Sequence, residues 1–303
     1  MFNSIVVGVD GREGARDALA LGARLRQLFG GELIAVYAYP YDFFVSRGAA
    51  PDFEGVMHRN ADDLVTSEVE RAGIAAHTVA VPDGSPGRAL QMAAKWHESD
   101  LIVVGSDRHG PIGRVLAGDV TAGTLHGAHC AVVIAPSRYA EHAGDIQTIG
   151  VGYDGSAESH AAAGLAAELA AAVQARLRVI FVLEPPVPGG AGLAYDPEWE
   201  ERAAATRAQA QARLDELVAE LGGIATGDVV VGDPVNELSY AANDLDLLVT
   251  GSRDYGPVRR LMLGSTSSKL IHQAPCPVLV LTRTAVEDEF GAAEAVAQRP
   301  IAG

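Results

Sequence analysis

The chain contains the same pattern twice. The segment Ile5–Gly11, with sequence IVVGVDG, returns 144 residues later as Ile149–Gly155, with sequence IGVGYDG. The segment Asp100–Ser106 returns 146 residues later as Asp246–Ser252. Solenoid proteins repeat over only about 20–50 residues. Here the same motifs recur in the same order over a much longer period, which indicates two copies of one complete domain.

A length of 303 residues fits two domains of about 150 residues each. We predict a first domain over 1–137, a second over 146–284 and a C-terminal tail over 285–303. The linker between the copies is expected between Pro136 and Asp145, where Pro, Ser, His and Gly residues occur close together.

The composition is that of a globular protein, with 48% hydrophobic and 20% charged residues. A net charge of −16 argues against binding to nucleic acid or to an anionic membrane, so neither is expected as a partner. No apolar run approaches the roughly 20 residues of a membrane span. The start of the chain has neither a basic region nor a cleavage site, and we expect a cytoplasmic protein.

Short Val/Ile-rich runs alternate with longer helical stretches in both copies. The runs near 101–104 and 228–231 are examples, and most such runs are almost continuously apolar. Continuous apolar strands are typical of a parallel sheet that helices cover on both faces. The alternation predicts an α/β fold with two tandem, doubly wound parallel sheets.

Two strand ends in each copy carry residues suited to ligand binding. Open α/β sheets bind ligands beyond the carboxyl ends of their strands, where the strand order reverses. The first strands run into Asp10-Gly11 and Asp154-Gly155, and the fourth strands end at Gly105 and Gly251. Capping of the next helix is an alternative role for both aspartates.

A glycine precedes the helix that follows each fourth strand. These helix starts are Gly118-Asp119 in the first copy and Gly264-Ser265-Thr266 in the second. Free backbone N–H groups and the helix dipole make such a start a seat for phosphate. Many glycine–serine starts only cap their helices, so this signal alone does not decide between the two roles.

Together these motifs resemble the universal stress protein family in its tandem form. The resemblance covers about residues 3–136 and 147–283. It implies a five-stranded parallel sheet of order 3-2-1-4-5 in each copy, so that the first and fourth strands are neighbours. It also implies that the final strands pair the two copies into an internal pseudo-dimer. Association of two chains into a homodimer stays open.

The resemblance implies ATP, with Mg²⁺, as the ligand, although both copies depart from the glycine pattern of nucleotide-binding members. Arg108 and Asp254 stand where that pattern has glycine, and Asp119 replaces a hydroxyl residue. Arg253, Arg259 and Arg260 add positive charge to the second loop. The resemblance places adenine or ribose beside Asp10 and Asp154, and ribose or phosphates on the loop and helix start. The implied nucleotide-binding residues are Asp154, Val182, Gly251, Arg253, Asp254, Gly264, Ser265 and Thr266 in the second copy, and Asp10, Val36, Gly105, Arg108 and Gly118 in the first.

The function predicted from these features is an adenine-nucleotide-binding regulatory protein of the stress response. The second copy is the better candidate for binding, because the first has lost the hydroxyl as well as the glycine. The alternative is a stress protein without nucleotide that acts as an interaction scaffold. We find no catalytic motif and predict no enzyme, while slow ATP hydrolysis stays open. An adenylyl transferase or flavin protein would need a signature that this sequence lacks.

Other notable residues receive simpler interpretations. Cys130 and Cys276 precede the last strand of each copy and are expected to be small buried thiols rather than a disulfide. The histidines are predicted to be scattered, with no metal site; they include His109, His126, His129 and His142. Irregular inserts follow the second strand of each copy, at 39–44 and 185–197, and either cover a ligand or pack against the other copy.

Overall fold

A computed structural model describes residues 2–40, 53–106, 119–184, 199–252 and 265–282. In these ranges the chain forms ten strands, nine α-helices and one 3₁₀ turn (Ala242–Asp244). The strands are β1 (Ser4–Gly8), β2 (Glu32–Tyr39), β3 (His77–Pro82), β4 (Leu101–Gly105), β5 (Ala131–Ala135), β6 (Thr148–Tyr153), β7 (Arg176–Leu183), β8 (Ala225–Val231), β9 (Leu247–Gly251) and β10 (Val278–Leu281). The helices are α1 (Glu13–Phe29), α2 (Phe53–Ala72), α3 (Pro86–Trp96), α4 (Asp119–Leu125), α5 (Tyr139–His142), α6 (Ala157–Val173), α7 (Trp199–Glu220), α8 (Pro234–Ala241) and α9 (Ser265–Gln273).

All ten strands belong to one continuous sheet. Their order is β3-β2-β1-β4-β5-β10-β9-β6-β7-β8. Within each half the pairings are parallel, and each half has the order 3-2-1-4-5. The predicted fold class is therefore confirmed, including the neighbouring position of the first and fourth strands.

The two halves meet through their last strands, β5 and β10, which pair antiparallel. Val133 lies opposite Leu279 in this pair, and both side chains are fully buried. The Thr282 hydroxyl donates a hydrogen bond of 3.1 Å to the Cys130 carbonyl at the end of the junction. The internal pseudo-dimer implied by the family resemblance is thus present within the single chain.

Helices cover both faces of the sheet, because the strands are apolar on both faces. On one face, α1, α2, α6 and α7 pack over a core that includes Leu19, Val65, Leu169 and Leu214. On the other face, α3, α4, α8 and α9 pack over a second core. The first core contains residues from both halves, so the halves share buried surface as well as hydrogen bonds. In the described ranges, no helix is long and apolar enough to cross a membrane.

The linker between the halves is more ordered than its composition indicates. It contains the short helix α5, and the buried Asp17 carboxylate of α1 accepts hydrogen bonds from the backbone N–H groups of Arg138 and Ala140, both at 2.9 Å. Arg138 has a left-handed φ of 64°, which turns the chain into α5. A side chain distant in the sequence fixes the backbone of this segment, so the local composition does not predict its order.

The thiols and one strand boundary also bear on the sequence predictions. Cys130 and Cys276 are buried and free, as expected, and burial raises the pKa of each thiol to about 12. The strand predicted near 228–231 begins at Ala225, because ladder pairing with β7 starts there despite the polar residues Thr226 and Asp228. The predictions for 41–44, 185–197 and the tail beyond 282 lie outside the described residues.

Candidate functional site

Each half has a cleft at the carboxyl edge of its sheet, between the ends of the first and fourth strands. The first cleft has a volume of about 240 Å³, and the second about 110 Å³. The lining of the first cleft includes Asp10, Val36, Leu90, Val104, Gly105 and Val120. The lining of the second includes Asp154, Ile180, Leu238, Thr250, Gly251 and Thr266. Sequence reasoning therefore placed both clefts at the correct edge of the sheet.

Asp10 and Asp154 form matching turns after their strands. The Asp10 carboxylate accepts the backbone N–H of Arg12 at 3.0 Å, and Asp154 accepts that of Ser156 at 2.9 Å. The following glycines, Gly11 and Gly155, have φ values of 78° and 84°, and residues other than glycine rarely adopt this backbone conformation. Neither aspartate caps the next helix, so the capping alternative is wrong. The N-cap positions belong to Arg12 and Ser156.

The strand-end glycines, Gly105 and Gly251, are required by packing within the protein. A Cβ atom on Gly105 would overlap the Gly14 carbonyl at the start of α1. A Cβ atom on Gly251 would lie 2.7 Å from the carbonyl oxygen of Glu158 at the start of α6. Both glycines line their clefts, but the space that a Cβ would need is filled by helix backbone.

A hydroxyl fixes the start of the next helix against each strand-end glycine. In the second half, Ser267 donates a hydrogen bond of 3.0 Å to the Gly251 carbonyl. In the first half, Thr121 makes the same contact with Gly105 at 3.4 Å. The first turn of α9, which begins at Ser265, is thereby held beside the second cleft, and Thr266 lines it. Backbone N–H groups in the first turn of a helix have no intrahelical partner.

Val36 and Val182 both line their clefts but do not occupy equivalent positions. Strand pairing places Val36 opposite Gly8, whereas in the second half Ile180 lies opposite Gly152. Ile180 is thus the counterpart of Val36, and Val182 lies two residues closer to the carboxyl edge. The equivalent wall residues therefore differ in size, with Val36 in the first cleft and Ile180 in the second. The sequence analysis had paired Val36 with Val182 instead.

The two clefts differ most in charge. Among the described residues that line the first cleft, the charged ones are Asp10 and Arg12, whose side chains lie 3.7 Å apart. Among the described residues that line the second cleft, the charged ones are all acidic: Asp154, Glu158 and Glu184. Sequence reasoning missed Glu158 and Glu184. The signal for Glu158 was available, since it stands in the first turn of α6 where the first half has Gly14.

Thr250 lines the second cleft, and its hydroxyl oxygen has almost no accessible surface. It occupies the place of Val104 and is 5% exposed. Its hydroxyl has no hydrogen-bond partner within the described ranges. Nearby, Tyr153 packs edge-on against Phe181, and burial raises the pKa of the tyrosine. A buried hydroxyl without a partner costs free energy, so Thr250 is a less favourable wall residue than the valine of the first half.

Several predicted site residues lie outside the described part of the chain. They are Arg108, Gly118, Arg253, Asp254 and Gly264, together with His109, Arg259 and Arg260. The helix-start residues Asp119 and Ser265 have described backbones only. Within the described ranges, no group of three or more His, Cys, Asp or Glu side chains is placed to hold a metal ion.

Comparison with known proteins gives one consistent answer. The sequence model of the universal stress protein family matches twice, over residues 1–136 and 145–282. A universal stress protein of Thermus aquaticus is 38% identical over 146 residues, which are 45% of this chain and 98% of that protein. A universal stress protein of Mycobacterium tuberculosis is 31% identical over 195 residues, which are 61% of this chain and 64% of that protein.

Solved structures agree on the fold. A universal stress protein from Archaeoglobus fulgidus superposes with a TM-score of 0.66 over 93% of this chain and 98% of its own, at 20% identity. At that identity the likeness establishes the architecture alone. Because the family pattern occurs in both halves, and the halves pair through their last strands, the chain belongs to the universal stress protein family in its tandem form.

Proposed function

We propose that this tandem universal stress protein binds an adenine nucleotide at the carboxyl edge of its sheet and acts as a regulatory protein in a stress response. The observation that carries the proposal is the juxtaposition of Asp154, Gly251 and Thr266 around one cleft, with Asp10 and Gly105 around its counterpart. The acid at the end of the first strand offers hydrogen-bond acceptors for adenine or ribose. The helix start that follows the neighbouring fourth strand offers N–H donors for phosphate.

The preference for the second cleft, drawn from the hydroxyl residues at the start of α9, stays a prediction. Thr266 and the α9 helix start favour it, whereas the carboxylates of Glu158 and Glu184 oppose a polyphosphate. We propose that Mg²⁺ arrives with the phosphates; the described residues include no group of three or more His, Cys, Asp or Glu side chains placed to hold a metal ion. The role we propose is binding rather than catalysis.

Titration with ATP and with adenosine by calorimetry tests the proposal. Asp10→Asn and Asp154→Asn each keep the acceptor oxygen of the turn but replace the second carboxylate oxygen with an amide donor. We expect saturable binding by the intact protein, and about tenfold weaker binding at the affected cleft, since a hydrogen bond to a charged group is worth about 1.5–3 kcal/mol. Glu98→Gln is the matched control, because Glu98 lies beside β4 at the opposite, amino edge.

The scaffold alternative is favoured by one observation, the three acidic residues among the described lining of the second cleft. A protein that acts only as a scaffold should purify without bound nucleotide and show no thermal shift with ATP or adenosine. Mass spectrometry of small molecules released from the fresh protein checks the first point. Saturable binding that neither aspartate substitution changes would exclude both clefts as the nucleotide site.

A further inference from the structure

We propose that two copies of this chain associate through the outer edge of β8, which pairs antiparallel with β8 of the second copy and continues the sheet. The residue that leaves this edge open is Val231, at the position where the first half has Pro82. The proposal goes beyond the nucleotide site and does not depend on it, because the residues that line the two clefts include none from β8.

Alternate residues of β8 direct their backbone groups away from the sheet. The Ile224 carbonyl accepts the Leu177 N–H at 3.4 Å, and the Gly232 N–H donates to the Leu183 carbonyl at 3.0 Å. Both backbone groups of a residue in a parallel ladder point to the same side, so the even-numbered residues of β8 face β7. The residues whose N–H and C=O groups point outwards are therefore Ala225, Gly227, Val229 and Val231. In the described ranges, β7 is the one strand that pairs with β8.

The opposite edge of the sheet, β3, is closed at the equivalent position. Pro82 ends β3 opposite Tyr39, and Val231 ends β8 opposite Leu183. The Asp83 N–H donates to the Tyr39 carbonyl at 3.0 Å, so Pro82 is one of the outward residues of β3. Proline has no N–H to offer and is a common guard of edge strands. Val231 has an outward N–H instead.

The charged residue of β8 does not guard its edge either. Asp228 accepts a hydrogen bond of 2.9 Å from the Arg178 guanidinium on β7, so its charge is paired with the neighbouring strand. Ile224 and Val231, at the two ends of β8, are exposed hydrophobic residues. Natural edge strands are blunted by shortness, by proline or by free charges. A seven-residue edge without these features is suited to pairing with another strand.

A second copy of this chain is the partner that this edge fits. Each outward residue offers one donor and one acceptor, so two antiparallel β8 strands satisfy each other about a twofold axis. The chain already joins strands in this way, since β5 and β10 pair antiparallel where its two halves meet. The net charge of −16 opposes association, so added salt should strengthen the dimer.

Sedimentation equilibrium of the full chain over a wide range of concentrations measures the association. Val231→Pro should weaken the dimer about tenfold or more, because each dimer loses two N–H donors and gains two proline rings at the pairing surface. The backbone accepts proline at this position in the first half. Val231→Thr keeps the N–H and should leave the dissociation constant within about threefold. Thr78→Pro, at an outward position of β3, is the matched control and should leave the dimer unchanged.

Hydrogen exchange of the parent protein, followed by mass spectrometry of peptides from β8, tests the pairing itself. The outward amides should exchange rapidly in dilute protein and become protected on concentration, whereas the Val231→Pro variant should gain no such protection. A monomer at all concentrations would overturn the proposal. So would outward amides that are already protected in dilute protein, since the edge would then be paired within the chain. A dimer that Val231→Pro leaves intact, or that Val231→Thr weakens equally, would exclude strand pairing at β8.

Discussion

The two clefts have the same backbone arrangement and different linings. Both have an aspartate turn closed by a positive-φ glycine, a strand-end glycine against a helix start, and a hydroxyl bonded to that glycine's carbonyl. They differ at Gly14 and Glu158, and at Val104 and Thr250. The shared residues build the edge of the sheet, whereas the differing residues change the lining of the clefts. Duplication thus separates the residues that the fold needs from those that can vary with the ligand.

The largest effect on the free energy of unfolding is expected from substitution of the strand-end glycines. Gly105→Ala should destabilise the protein by about 3 kcal/mol, because its Cβ would overlap the α1 backbone, and backbone cannot move aside as a side chain can. Gly251→Ala should cost less, about 1–2 kcal/mol, since its Cβ would lie 2.7 Å from the α6 carbonyl. Urea unfolding of both variants measures the difference.

The exposed Gly84→Ala is the control, because no atom lies within 4 Å of its Cβ position and, like Gly105 and Gly251, it has no positive φ. Equal costs at Gly105 and Gly251, or costs no larger than at Gly84, would show that close packing is not what these two glycines provide.

The next effect concerns the linker, which Asp17 of the first half anchors. Asp17→Ala should lower the free energy of unfolding by about 2 kcal/mol, because the N–H groups of Arg138 and Ala140 lose their acceptor. The exposed Asp63→Ala on α2 should change it by less than about 0.5 kcal/mol. Chemical unfolding checks both values. A loss confined to α5, seen by hydrogen exchange without global destabilisation, would contradict coupling of the linker to the core.

The pH dependence of the same contact has a defined sign. Burial raises the pKa of Asp17 above its usual value near 3.8, although two N–H groups oppose the shift. The folded state therefore binds this proton more tightly than the unfolded state, and the contribution of Asp17 to stability falls as pH rises from about 3.8 through the raised pKa. The stability difference between the parent protein and Asp17→Asn, measured from pH 3 to 8, should decrease over that range and then level off. A difference that increases would reverse the assignment.

The fold was accessible from the sequence because its signals are local and duplicated. Apolar strands and helical stretches alternate in both copies, and the paired motifs gave the family and thus the strand order. The clamp of Asp17 on the linker was not accessible, since it joins residues more than 120 positions apart. The same holds for the start of β8 at Ala225, where pairing with β7 outweighs the polar composition.

The candidate site was accessible only in outline. Asp10, Asp154 and the strand-end glycines were found because they interrupt apolar runs. The reason for the glycines was missed, since close approach of a helix backbone looks the same in sequence as close approach of a ligand. Glu158 and Thr250 were missed because an acid in a first turn and a threonine in a strand are ordinary residues until the cleft places them together.

The smallest effect is expected at the N-cap positions, where the two halves again differ. The Ser156 side chain accepts the N–H of Ser159 at the start of α6, whereas Arg12 offers no side-chain acceptor to α1. Arg12→Ser should therefore stabilise the protein by about 0.5–1 kcal/mol, because the cap outweighs an exposed ion pair with Asp10. Ser156→Ala should destabilise it by about 1 kcal/mol. Thermal unfolding at pH 7 measures both changes, and Arg12→Ala separates the lost ion pair from the gained cap. If Arg12→Ser proves no more stable than Arg12→Ala, then α1 cannot use a serine cap, and the two helix starts are less alike than their matching turns indicate.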